Sequence, residues 1–119
     1  MEKLNINPTR LNQTLLNLGS IGSTPDGMQR LAFTQYDIEA RDMTISLMRG
    51  AGLTTRIDTA GNIIARKEGT SPDLAAIALG SHIDTVPNGG KYDGALGVMG
   101  AIEVAQILED THTTLRHPL

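Results

Sequence analysis

The 119-residue sequence contains no cysteine and no tryptophan, and its only aromatic residues are Phe33, Tyr36 and Tyr92. Without cysteine the chain can form neither disulfides nor thiolate metal sites, so any metal ligands must be histidine or carboxylate side chains. With so few aromatic side chains, a hydrophobic core must be built from aliphatic residues. A chain of this length allows a single domain at most.

The sequence also lacks an excess of positive charge and any long apolar run. The chain has ten basic and 13 acidic residues, for a net charge of −3. This net charge does not favour binding to a nucleic acid. No apolar run approaches the length that spans a bilayer, and the first residues do not resemble a secretory signal. We therefore expect a cytoplasmic protein that binds neither nucleic acids nor membranes.

Two helices are predicted in the first part of the chain. Asn7 followed by Pro8 is typical of a helix start, with a polar cap and a proline in the first turn, and predicts a helix over residues 8–18. Thr34, with Asp37 three residues later, resembles a capping box and predicts a second helix that ends at the glycines after residue 49. The glycine-rich stretch between the two helices predicts an irregular loop that reaches toward a functional site.

The second part of the chain predicts strands and a final helix. Residues 53–58 and 62–66 flank a Thr-Ala-Gly turn and predict a hairpin, and the apolar run 74–79 predicts a buried strand. Residues 94–109 are apolar almost all round and predict a buried helix. These elements predict an α/β fold, with a mixed sheet flanked by helices and no domain boundary within residues 1–119.

The segment with the most chemical information is residues 80–95, which sets His82, Asp84 and Asp93 around a glycine-rich bend. His82 and Asp84 are two residues apart, so in extended backbone their side chains leave the same face. An imidazole binds a metal with one nitrogen when the other N–H is held by an acceptor, which is the role we predict for Asp84. Asp93 can return toward His82 after the bend and bridge two divalent ions.

Each of these residues also has a simpler interpretation. A lone His-x-Asp is more often a hydrogen-bonded pair at a strand end than a metal site, and Asp93 could be only the N-cap of the following helix. The bend could bind a phosphate, but the sequence contains neither Gly-x-Gly-x-x-Gly nor Gly-Lys-Ser/Thr, so a nucleotide site is not predicted. Asn88 and Lys91 could contact substrate or shape the loop.

Four further ionisable residues are predicted to be background. Glu103 and Glu109 are interpreted as helix surface, and His112 and His117, which lie in a polar tail without ligand spacing, as solvated or helix-end residues.

The run His82-x-Asp84, followed by Gly-Gly-Lys-Tyr-Asp-Gly over residues 89–94, resembles the first metal-binding segment of the M20-type co-catalytic metallohydrolases. The ten residues between His82 and Asp93 match the N-carbamoyl-amino-acid hydrolase and allantoate amidohydrolase branch of that family. Further similarity covers nearly the whole chain. It lies at residues 30–34, 40–42, 51–53, 58–62 and 116–119.

This resemblance implies that residues 1–119 are the amino-terminal part of one catalytic domain of a binuclear hydrolase. It implies two divalent metal ions, zinc or manganese, with His82 and Asp93 as metal ligands and Asp84 as the catalytic residue that orients His82. The implied reaction is hydrolysis of the ureido C–N bond of a small molecule, either an N-carbamoyl amino acid or allantoate. The implied full-length protein is a homodimer.

In that family the general base and the remaining metal ligands follow the segment that ends here with Leu119. We therefore expect the 119-residue chain alone to be inactive. The alternative from another functional class is a stand-alone α/β module that binds a small anion or a metal without catalysis.

Overall fold

The computed structural model describes residues 4–119, which form three helices and two small sheets. The elements are α1 (Pro8–Ser20), β1 (Ser23–Thr24), β2 (Gly27–Met28), α2 (Gln35–Gly50), β3 (Thr54–Ile57), β4 (Ile63–Arg66) and α3 (Ala95–Asp110). The strands pair as two antiparallel hairpins, β1 with β2 and β3 with β4. The predicted α/β class and the predicted hairpin are confirmed.

Both predicted helix starts are confirmed by their caps. The Asn7 side chain accepts a hydrogen bond from the Arg10 amide at 3.1 Å, and α1 runs two residues further than predicted. At α2 the Thr34 hydroxyl accepts from the Asp37 amide at 3.4 Å, while the Asp37 carboxylate accepts from the Phe33 amide at 2.9 Å. This exchange satisfies amide groups that the first turn of a helix leaves without partners.

The hydrophobic core is aliphatic, as the composition predicts. It lies mainly between α1 and α3, with α2 packed beside them. The aromatic side chains stay outside, and Phe33 is 90% exposed. Central core residues are Leu15, Leu18, Ala40, Ile83, Val98, Met99 and Ile102.

The buried strand predicted over residues 74–79 is wrong: this run has no strand assignment, and most of it is exposed. The Ile77 amide donates to the Pro118 carbonyl at 2.8 Å, and the His117 ring contacts the Ala75 carbonyl at 2.8 Å. A strand requires a repeated ladder of main-chain bonds with a neighbour. Within residues 4–119 this run makes only isolated contacts of that kind, so its apolar side chains remain uncovered.

The final helix also differs from its prediction. One face of α3 is buried against α1 and α2, but Leu96 and Val104 on the other face are 53% and 39% exposed. An apolar sequence shows that a helix can be buried, whereas actual burial requires a neighbour on every side. No helix within residues 4–119 is both long enough and apolar enough to cross a membrane.

Glu103 on α3 is predicted to lie on the helix surface, but this prediction is wrong, because Glu103 is only 3% exposed. Its carboxylate accepts from Arg10 Nε at 2.7 Å, from Arg10 Nη2 at 2.9 Å and from the Asn7 amide at 2.8 Å. The ion pair with Glu103 raises the pKa of Arg10 above its ordinary value. Glu103 thus joins α3 to the start of α1. Glu109 does lie at the surface, where it pairs with Lys67.

Candidate metal centre

His82 and Asp84 lie in an extended segment whose side chains alternate between two environments. Ile83 and Thr85 are buried, whereas the side chains of His82 and Asp84 are 52% and 44% exposed. This is the period of two expected for extended backbone. His82 and Asp84 therefore lie on one exposed face, as predicted, and Ile83 between them is buried in the core.

The His82 ring lies between two aspartates. Its Nδ1 is 3.0 Å from the Asp84 main-chain oxygen and 3.4 Å from Asp84 Oδ1, and its Nε2 is 3.3 Å from Asp93 Oδ1. A carbonyl oxygen can only accept, so the contact at 3.0 Å favours the tautomer with hydrogen on Nδ1. In that tautomer Nε2, the ring nitrogen next to Asp93, carries the lone pair.

The separation of His82 Nε2 and Asp93 Oδ1 suits two ligands of one ion. Two donors on a tetrahedral zinc ion lie about 3.4 Å apart when the Zn–N and Zn–O bonds are about 2.0–2.2 Å long. The observed distance is 3.3 Å. An imidazole and a carboxylate also match the donors that zinc and manganese accept. The residues present therefore fit a divalent metal ion.

The ligand set is nevertheless incomplete within the described part of the chain. Residues 4–119 contain no cluster of three or more histidine, cysteine, aspartate or glutamate side chains that could hold a metal ion. Zinc sites in enzymes use three or more protein ligands. His82 and Asp93 can therefore supply only part of a tight site.

Asp93 is not the N-cap of α3, so this alternative interpretation is wrong. The cap residue is Gly94, no side chain bonds to the first turn, and the Asp93 side chain is 73% exposed. The carboxylate of Asp93 is thus turned to the His82 ring and to solvent. Both of its oxygens remain available to ligands.

Gly94 allows Asp93 and His82 to approach each other. Its φ of +69° lies in the left-handed region, which side chains rarely adopt. A β-carbon built on Gly94 would come within 2.6 Å of His82 Nδ1. Glycine is therefore required at this position both by the backbone and by the space that the imidazole takes.

The bend between the two candidate ligands is fixed by the β1–β2 hairpin. The Met28 amide donates to the Gly89 carbonyl at 2.9 Å, and the Gly89 amide donates back at 3.1 Å. The Gln29 side-chain amide also donates to Asn88 Oδ1. The prediction that the loop after α1 reaches toward the site is confirmed in this sense, and Asn88 shapes the bend.

Lys91 and the two tail histidines have structural contacts. The stem of Lys91 lies over Gly19, where an added β-carbon would meet Lys91 Cδ at 2.8 Å. His117 bonds to a main-chain carbonyl, as described above, so it is more than a solvated residue. His112 follows α3, where its amide donates to the Glu109 carbonyl at 3.1 Å, in agreement with the helix-end interpretation.

Arg30 lies behind the segment that carries His82 and Asp84, and the sequence pattern predicts no role for its side chain. It is fully buried, and its guanidinium donates to main-chain carbonyls, including that of Ile83 at 2.7 Å. Burial lowers the pKa of Arg30, and the charges of Asp37 and Asp84 act in the opposite direction. An arginine in a polar loop carries no sequence pattern that distinguishes burial from exposure, so the sequence offered no signal for this contact.

Comparison with known proteins shows a consistent set of relatives. The model of Peptidase family M28 matches residues 62–119. An N-carbamoyl-L-amino acid amidohydrolase from Geobacillus stearothermophilus is 46% identical over 111 residues, which are 92% of this chain and 27% of that protein. A probable allantoate deiminase from Oryza sativa subsp. japonica is 44% identical over 93 residues, which are 76% of this chain and 19% of that protein.

A solved structure agrees with this relationship. The crystal structure of a hydantoinase/carbamoylase family amidase from Burkholderia ambifaria superposes with a TM-score of 0.94 at 39% identity, and covers 98% of this chain. The match takes up 29% of that amidase. This chain therefore spans less than a third of the length of the curated relatives that it matches.

Proposed function

Because this chain belongs to the family of the N-carbamoyl-L-amino-acid amidohydrolases, we propose that it forms part of the catalytic domain of a metal-dependent hydrolase of ureido C–N bonds. The observation that carries the proposal is the His82–Asp93 pair, with donor atoms 3.3 Å apart at a bend that Gly94 keeps open. The N-carbamoyl-amino-acid hydrolase and allantoate amidohydrolase branch inferred from the motifs agrees with the names of the curated relatives. The family model that matches residues 62–119 is that of Peptidase family M28.

In the proposed mechanism, His82 and Asp93 would hold divalent metal ions, zinc or manganese. When bound, these ions supply an activated water and polarise the ureido carbonyl. His82 contributes Nε2, because Nδ1 is held by the Asp84 carbonyl at 3.0 Å. Asp93 has Oδ1 near His82 and its side chain is 73% exposed, so its carboxylate would be the residue that bridges two ions.

The general base and the remaining ligands are proposed to come from a further part of the full-length protein, meaning a chain of the relatives' length that contains this segment. The uncovered run 74–79 supports this, because it borders a cleft of about 860 Å³ between the β3–β4 hairpin and α3. An apolar, exposed segment that forms no ladder with the described residues is suited to pair with another strand. Residues 1–119 then correspond to the amino-terminal part of one catalytic domain and have no turnover alone.

The proposed substrate is a small ureido compound, either an N-carbamoyl amino acid or allantoate, in keeping with the names of the relatives. Hydrolysis of an N-carbamoyl amino acid would give the amino acid, carbon dioxide and ammonia. The homodimer stays a prediction from the family resemblance, and the cytoplasmic location stays a prediction from the sequence. No observation favours the stand-alone binding module, since two donors are too few for a tight metal site.

The test measures metal content and ureido hydrolysis together in the full-length protein. We expect His82→Ala to lose metal from one site and Asp93→Ala to lose both ions, with hydrolysis of N-carbamoyl amino acids and allantoate reduced to background in each. His112→Asn is the matched control, because asparagine tolerates the left-handed backbone (φ 50°) of His112. If Asp93→Ala retains two ions and near-normal turnover, the proposed mechanism is wrong.

A further inference from the structure

Arg30 holds the segment that carries His82 and Asp84 against the end of α1. Its Nε donates to the Ile83 carbonyl at 2.7 Å, and its Nη1 donates to the carbonyls of Leu18 and Ile21 at 2.9 and 2.8 Å. One guanidinium thus joins three main-chain oxygens from two separate parts of the chain. All of these contacts are buried.

The main chain of Arg30 makes a second attachment to the same segment. The Thr85 amide donates to the Arg30 carbonyl at 2.7 Å, and the Arg30 amide donates to the Thr85 hydroxyl at 3.1 Å. Hydrogen bonds with Arg30 therefore hold both Ile83 and Thr85, which are buried in the core. Since side chains alternate along extended backbone, fixing these two residues sets the outward direction of His82 and Asp84.

We infer that Arg30 is a positioning residue for the metal centre, acting through the Ile83 carbonyl; this inference rests on the proposed function. The hydrogen bonds of the Arg30 side chain go to main-chain carbonyls and not to the His82 ring. It determines where the backbone of His82 lies relative to Asp93, which is held separately by the bend and by Gly94. Loss of the guanidinium would let residues 82–85 shift as a unit and disturb the 3.3 Å separation of the two donors.

The chemistry of arginine explains why this position carries it. A guanidinium has a planar fork of donors that reaches several acceptors at fixed angles, whereas a lysine ammonium is a single point on a flexible stem. Arg30 also stays charged when buried, and the nearby charges of Asp37 and Asp84 offset part of the cost of its burial. Among the described residues, Arg30 Nη2 is the one buried side-chain polar atom without a hydrogen-bond partner.

The test compares two arginines of the full-length protein, buried Arg30 and half-buried Arg10, which hold different parts of the fold together. Arg30→Lys removes the fork that holds the Ile83 carbonyl, and Arg10→Lys is the control, since Arg10 binds Glu103 on α3 and makes no contact with the site. Zinc affinity is measured by competition with a chromophoric chelator, and the free energy of unfolding is measured by urea denaturation of the metal-free proteins. Thr85→Val, which removes the hydroxyl that accepts from Arg30, is a milder second variant.

We expect Arg30→Lys to weaken zinc binding by about 10–100-fold, the range for residues that orient metal ligands. Thr85→Val should weaken it in the same direction by a smaller factor, and Arg10→Lys should lower stability with unchanged zinc affinity. The inference is overturned if Arg30→Lys and Thr85→Val lower stability alone and bind zinc as the wild type does. Zinc binding that His82→Ala leaves intact would instead refute the proposed metal site itself.

Discussion

Gly94 lies against His82 so closely that a β-carbon on Gly94 would come within 2.6 Å of the imidazole Nδ1. The two residues are 12 positions apart, on opposite sides of the bend that separates the candidate ligands. This contact is what brings the start of α3, and Asp93 with it, next to the His82 ring. A side chain at Gly94 would therefore displace His82, although Gly94 carries no ligand atom.

Gly94→Ala in the full-length protein should therefore displace His82 and weaken metal binding. Gly100→Ala is the matched control on the same helix, because an added β-carbon there meets nothing within 4 Å. Alanine inside a helix is favoured over glycine by about 0.5–1 kcal/mol, so the control should be as stable as the wild type or more so. The measurement is metal content with thermal unfolding. Equal metal content in both variants would refute the positional role of Gly94.

Glu103 should contribute more to stability than any other acidic residue of α3. Glu103→Ala leaves the Asn7 amide without its acceptor and Arg10 with only its exposed pair to Asp110, and breaking a buried ion pair typically costs about 3–5 kcal/mol. We expect the lower end of this range, because the Arg10 side chain is 32% exposed and can be partly solvated. Urea denaturation measures the loss.

Glu109→Ala is the control for this prediction, since Glu109 pairs with Lys67 at the surface of the same helix. Exposed ion pairs contribute little to stability, so this variant should unfold almost as the wild type does. Similar losses in the two variants would contradict the distinction between a buried and an exposed glutamate.

The sequence predicted the features that depend on local chemistry. The caps at Asn7 and Thr34, the hairpin after α2 and the outward pairing of His82 with Asp84 all follow from residue types at short spacing. The features that depend on distant neighbours were not predictable. Glu103 is buried because the start of α1 supplies donors from more than 90 residues away.

The same limit explains the error over residues 74–79. An apolar run shows what a segment could bury, whereas strand pairing and burial need partners, and residues 4–119 provide few for this run. Arg30 illustrates the converse, since its three carbonyl acceptors become adjacent only when the chain folds.

Asp84→Asn should affect metal binding less than its proposed orienting role would suggest. The Asp84 main-chain oxygen lies 3.0 Å from His82 Nδ1, whereas the carboxylate lies at 3.4 Å, and the substitution leaves the main-chain oxygen in place. We expect the metal affinity of the full-length protein to fall by less than the roughly 10–100-fold typical of such partners. Chelator competition measures it, with His82→Ala as the reference for full loss. A hundredfold loss would assign the orienting role to the carboxylate.

Asp58 should make the β3–β4 hairpin sensitive to acid. Its carboxylate accepts from the Asn62 side chain at 2.9 Å and from the Asn62 and Ala60 amides at 2.8 and 2.9 Å, and these bonds, led by that from the Asn62 side chain, lower the pKa of Asp58. A carboxylate whose pKa is lower in the folded state stabilises the fold above its unfolded pKa, and this contribution is lost as the pH falls through the folded value.

In Asp58→Asn the charge is absent at every pH. The difference in unfolding free energy between wild type and Asp58→Asn should therefore be constant near neutral pH and shrink below roughly pH 4, the ordinary range for aspartate. Urea denaturation at a series of pH values measures this difference, and an NMR titration of the Asp58 carboxyl gives the folded pKa directly. A difference that stays constant or grows on acidification would show that the charge of Asp58 does not stabilise the turn.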